Sequence, residues 1–153
     1  MDQHQSTEEL QQGLAHILAS PKDCGEIVRI VRRPAPGERE VIDAGELHTE
    51  LGLVGDCWLA RGKSGGRDSD PDRQITLMNS RAAALIACGS KRWALAGDQF
   101  FVDLDLGVTN LPPGTLLALG AATVEVTSPP HTGCKKFVER FGLDAMHFVN
   151  SDI

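Results

Sequence analysis

The chain lacks any apolar run near the roughly 18 residues that a transmembrane helix needs. Residues 1–9 are polar and acidic, with no apolar signal-peptide core. No membrane association is therefore expected, and the cytoplasm is the default compartment. Positive charge is in deficit: 15 Lys and Arg stand against 21 Asp and Glu, a net charge of −6. Wholesale binding of nucleic acid through its phosphate backbone is not expected from such a chain. No C-x-x-C pair joins the four scattered cysteines, Cys24, Cys57, Cys88 and Cys134, so a zinc ribbon is not indicated. In a reducing compartment they read as free thiols. A nucleophile elbow, a phosphate-binding P-loop and a dinucleotide glycine fingerprint are all missing. So are internal repeats and interdomain linkers, which leaves residues 1–153 as one domain.

What is present suits a folded domain of this length. Hydrophobic residues make up 41% and charged residues 24%, a globular balance. Sixteen glycines, eight prolines and frequent strand-like runs favour a turn-rich, mainly β protein with a few helices, an α+β fold. Ser6 and Glu9 have capping-box spacing, and Leu10, Leu14, Ile17 and Leu18 follow at helical intervals, so residues 1–22 read as an N-terminal helical extension packed on the domain. Strands are expected over 26–32, 40–47, 74–78, 99–104, 115–119 and 123–127. Asn79 caps a helix that Gly89 stops, and a short helix spans about 143–149. Residues 60–73 hold glycine, serine, proline and mixed charges with almost nothing apolar, and read as a long exposed loop.

The stretch Pro129-Pro130-His131-Thr132-Gly133-Cys134-Lys135-Lys136-Phe137 carries the leading chemical candidate. Thr132 and Gly133 read as cap residues of a helix from Cys134 to residue 141, with Phe137, Val138 and Phe141 at helical spacing. A cysteine at a helix mouth beside two lysines and a histidine is in a setting that favours thiolate, the form that acts as nucleophile and metal ligand. Cys24, Cys57 and Cys88 lack such neighbours and read as structural thiols. His131, three residues before Cys134, suits a Cys–His pair, but the sequence shows no third group to orient the imidazole, and a solvated loop histidine is an equal reading. His48 is equally ambiguous.

Gly52-Leu53-Val54-Gly55-Asp56 reads as a tight turn approached closely by other backbone, or as an ordinary turn in which Asp56 bonds its own backbone. Arg61, Lys63, Arg67 and Arg73 suggest an anion-binding rim. The interspersed Asp68, Asp70 and Asp72 favour a charge-balanced loop for the first three, whereas Arg73 borders a strand.

In their order and spacing these segments resemble the MOSC domain, the C-terminal domain of molybdenum-cofactor sulfurases, which also occurs as a small stand-alone protein. The likeness runs from about residue 24 to 137. It rests on Gly52-Leu53-Val54-Gly55-Asp56, Arg73-Gln74-Ile75-Thr76-Leu77, Ala96-Gly97-Asp98-Gln99, Asn110-Leu111, Pro113-Gly114-Thr115 and the strand before Pro129, and ends at Cys134, which matches the signature cysteine. The resemblance implies a β-barrel-like fold with a few helices. It implies that Cys134 carries sulfur as a persulfide, or ligates molybdenum in members that bind molybdenum cofactor (molybdopterin). It brings in Arg73 and the Gly55-Asp56 turn as pocket elements; beside them, the cysteine loop itself offers His131 as catalytic partner and Thr132, Gly133 and Lys135 as cofactor-binding residues. Pyridoxal phosphate is not expected. A sulfur donor or a molybdoenzyme is the implied partner.

Gly133 stands where many relatives carry proline. Relatives also continue into further strands after the cysteine helices, where this sequence reads Asn150-Ser151-Asp152-Ile153, so either the barrel closes differently or a partner chain, as in a homodimer, covers the open edge. Two other functions are carried alongside: a non-catalytic module for a small anionic ligand or protein partner, and molybdenum-dependent reduction of N-hydroxylated compounds.

Overall fold

The computed structural model describes residues 4–64 and 69–151. Helix α1 (Thr7–Leu18) starts at the expected capping box: Ser6 accepts from the Glu9 amide, and the Glu9 carboxylate accepts from the Ser6 amide at 2.8 Å. Leu10 is buried and packs with Ile86, Phe137, Phe141 and Ala145. The helix is thus part of the main core. Gly13 marks its close approach to α3 (Ser80–Ala87), since a Cβ there would lie 2.5 Å from the Leu85 side chain.

The central sheet has four strands in the order β2 (Glu40–Ile42), β1 (Glu26–Arg32), β6 (Phe100–Asp103), β5 (Leu77–Asn79). β1 runs antiparallel to both neighbours, while β5 and β6 are parallel and joined through α3. Alternation along β6 divides the core: Phe101 faces Val31 and Ala83, whereas Phe100 and Val102 pack with Leu53, Leu104 and Leu119. Two small hairpins, β3–β4 (Leu47–His48, Gly52–Leu53) and β7–β8 (Leu116–Leu119, Ala122–Glu125), pair only within themselves. The fold is therefore mixed α/β, and among the described residues no sheet closes into the barrel that the resemblance implies. The physical reason is local: each hairpin's ladder ends at its own partner, so no continuous hydrogen-bonded ring forms.

Three expectations need correction. The segment read as strand 40–47 is two short strands, because residues 43–46 break the ladder. The strand expected from 74 begins at Leu77, since a 3₁₀ turn led by Pro71 and capped by Asp70 runs through Arg73. The expected 60–73 loop opens instead with helix α2 (Trp58–Ser64), and residues 65–68 lie outside the described residues. Asp56 accepts from the Trp58 amide at the start of α2, and Ser69 Oγ donates to the Trp58 and Leu59 carbonyls. These partners hold a helix whose composition alone reads as a loop.

Leu10→Ala is expected to cost about 2–5 kcal/mol, the range for a fully buried leucine. Urea unfolding measures this; a loss below about 1 kcal/mol would make α1 an appendage.

Candidate functional site

The site grows from a buried ion pair. Arg33 follows the end of β1, and its Nη2 lies 2.7 Å from Asp56 Oδ2 while its Nε donates to Oδ1 at 2.9 Å. The Asp56 side chain is fully buried and also accepts from the Arg33 and Trp58 amides. Burial pushes the Asp56 carboxyl up, but the hydrogen bonds and charge of Arg33 outweigh it and hold the group below its ordinary 3.8. Arg33 Nη1 reaches the Gly97 carbonyl at 3.3 Å, so one guanidinium ties the end of β1, the Gly55–Asp56 turn and the approach to β6. Gly55 has φ +85°, and a Cβ there would lie 2.8 Å from the Arg32 side chain, which fits the tight-turn reading.

Beside this pair lies a cavity of about 480 Å³. Its walls carry Arg33, Arg39, Arg61, Lys136 and Arg140, with Asp98 the one carboxylate among the described lining residues. Arg39 Nε donates to the Ala94 carbonyl at 3.1 Å, and Arg140 Nη1 to the Leu95 carbonyl at 2.7 Å. Backbone carbonyls orient both guanidiniums, yet among the described residues neither forms an ion pair. Burial, then the positive charges of Arg140 and Arg33, lower the pKa of Arg39. A cationic cavity of this kind favours an anion, because guanidinium forks match phosphate and carboxylate oxygens.

Cys134, His131, Thr132 and Gly133 share the wall of this cavity. Helix α4 spans Lys135–Phe141, and Cys134 is its N-cap: the Cys134 carbonyl accepts from the Phe137 and Val138 amides. The expected capping by Thr132 and Gly133 is thus corrected. The Gly133 amide instead donates to Asn150 Oδ1 at 2.8 Å, tying the loop to the end of α5 (Leu143–Val149). Cys134 is exposed.

His131 has the orienting group that its sequence neighbourhood does not reveal. Its Nε2 lies 2.8 Å from Oδ1 of Asp98, whose side chain is 6% exposed. That oxygen has no well-directed hydrogen-bond donor among the described residues; the contact is a close approach of carboxylate to imidazole that becomes an ion pair when the ring is protonated. The contact with Asp98 leads in raising the His131 pKa above 6.5, against the opposing effects of burial, Arg33 and Arg73.

Other expected site residues lie elsewhere. Arg73 bridges Asp70 at 3.5 Å and the Pro130 carbonyl at 3.4 Å, outside the cavity lining, and Gly55 and Lys135 also fall outside it. Asp56 stands behind the wall through Arg33. His48 accepts from the Glu50 amide away from the cavity. Arg61 joins the cavity wall and Arg67 is outside the described residues. Cys57 is buried on the cavity wall, while Cys24 and Cys88 are exposed. Arg33, Arg39, Arg140 and Asp98 are the site residues that sequence reasoning misses. One available signal was Asp98-Gln99 placed directly before the apolar run Phe100-Phe101-Val102, where a charge is costly unless paired. Comparison of the chain with protein-family models, with curated proteins and with solved structures gives no match.

Asp56→Ala should destabilise the fold by about 3–5 kcal/mol in urea unfolding, because it leaves Arg33 charged and unpaired. Since the Asp56 pKa is depressed in the fold, its contribution is present above pH 3.8 and lost as pH falls through the folded value. The stability gap between wild type and Asp56→Asn should therefore narrow under acid; a gap that stays constant would contradict the pairing.

Proposed function

We propose that this protein handles sulfur, with Cys134 carrying it as a persulfide at the edge of a cavity that receives an anionic cofactor or acceptor. One observation carries the reading: an exposed cysteine shares a cavity with Arg39 and Arg140, which have no carboxylate partner among the described residues. The MOSC resemblance supports the same assignment. The residues fit a molybdopterin-type cofactor in two respects. Its phosphate suits the arginines, and its flat heterocycle suits the apolar lining residues, Leu77, Met78 and Leu106 among them. Such a cofactor, when bound, would supply redox chemistry at its own metal. In that reading a MOSC-like barrel would be completed across the free edges of β2 and β5 by a second copy.

Arg39 and Arg140 equally support a binding module with no sulfur chemistry, and the two separate cleanly. Peptide-resolved mass after incubation with glutathione persulfide should show sulfur gained at Cys134 well ahead of exposed Cys24 and Cys88, an excess that Cys134→Ala loses. Equal gain by both would end the carrier reading. In calorimetry with pyrophosphate, Arg39→Ala and Arg140→Ala should each weaken binding by about tenfold or more, the loss of one charge-assisted contact, while Cys134→Ala binds like wild type. Unchanged binding by both arginine variants would contradict the anion site.

A further inference from the structure

The sulfur reading leaves one feature of the cavity unused. His131 shares the cavity wall with Cys134, from which it is separated by Thr132 and Gly133. Its Nε2 lies 2.8 Å from Asp98 Oδ1, and no hydrogen bond engages its Nδ1 among the described residues. Asp98 is 4% exposed, an expensive place for a carboxylate unless a cation faces it. A buried acid close to one nitrogen of an imidazole, on a residue that lines the same cavity as a thiol, is an arrangement suited to proton transfer.

We propose that His131, positioned by Asp98, moves the proton when a persulfide donor passes sulfur to Cys134. The proposal rests on the carrier reading above. The Cys134 thiol gives its proton to His131 Nδ1. The thiolate then attacks the outer sulfur of the donor R–S–SH. The new bond joins Cys134 Sγ to that sulfur as the donor S–S bond breaks, and the bonding pair leaves with R–S⁻. His131 returns the proton to R–S⁻. The products are R–SH and the Cys134 persulfide, with no external oxidant or reductant. The opposed charges on His131 suit this double duty: Asp98 favours the imidazolium, while Arg33 and Arg73 disfavour it. Lys136 adds positive charge to the same wall.

The test is the rate of sulfur gain at Cys134 from glutathione persulfide, read by peptide-resolved mass across the pH range in which imidazole titrates. His131→Gln should slow loading about 100-fold and flatten the pH profile, the scale of general acid–base catalysis. Asp98→Asn should slow it too and move the inflection to lower pH, because the group that favours the imidazolium is gone; Asp98→Glu should recover part of the rate. If His131→Gln loads Cys134 with wild-type rate and profile while Cys134→Ala loses the fast gain, the proton-transfer role is overturned and the carrier reading stands. If wild type gains no sulfur at Cys134, both are overturned. Should Asp98→Asn fail to fold by circular dichroism, His131→Gln decides alone, since that side chain is 54% exposed.

Discussion

The Arg33–Asp56 ion pair is the constraint on which the site depends. Its energetics are asymmetric. Removing a charge pair from water is costly, and a bidentate contact with every carboxylate oxygen engaged only offsets that cost. Losing one partner leaves the other buried and uncompensated. The pair also fixes geometry, because it fastens the end of β1 to the turn before α2 and, through the Gly97 carbonyl, to the approach to β6. Arg33, Cys57 and Asp98 come from those three segments, and all three line the cavity.

With the frame held, the chemistry of the cavity follows from a charge imbalance. The carbonyls of Ala94, Leu95 and Gly97 aim the guanidiniums of Arg39, Arg140 and Arg33. Carbonyl dipoles supply only partial negative charge, so they orient Arg39 and Arg140 without neutralising them, whereas Arg33 is paired with Asp56. Asp98 lies on the same wall but is engaged by His131 at 2.8 Å. An incoming anion relieves the mutual repulsion of the arginines, and the partly desolvated setting strengthens that attraction relative to water. Cys134 stands where such a ligand would meet a sulfur nucleophile.

Local signals made much of the frame legible in the sequence. The Ser6–Glu9 capping box, the Asn79 cap and the apolar run of β1 each depend on neighbours within a few residues, and the structure has all three. The position of Cys134 at a helix start is another local pattern, displaced only in that the cysteine is itself the cap. What escaped depends on distant pairing. Asp98 belongs to Ala96-Gly97-Asp98-Gln99, one of the segments on which the MOSC resemblance rests, but nothing in that segment says that it meets His131. Arg39 carries no local signal, yet carbonyls of residues 94 and 95 hold it and Arg140 in the lining of one cavity. Helix α2 was hidden because its support comes from Asp56 and Ser69 and not from its own composition.

The central claim is that Cys134 opens onto a cationic cavity. It is tested most directly by comparing its alkylation by iodoacetate, an anion, and by neutral iodoacetamide, with exposed Cys24 as internal reference. The iodoacetate-to-iodoacetamide rate ratio should be several-fold higher at Cys134 than at Cys24, fall with added salt, and collapse in an Arg39→Ala, Arg140→Ala double variant. Equal ratios at the two cysteines, unmoved by salt or by loss of the arginines, would contradict it.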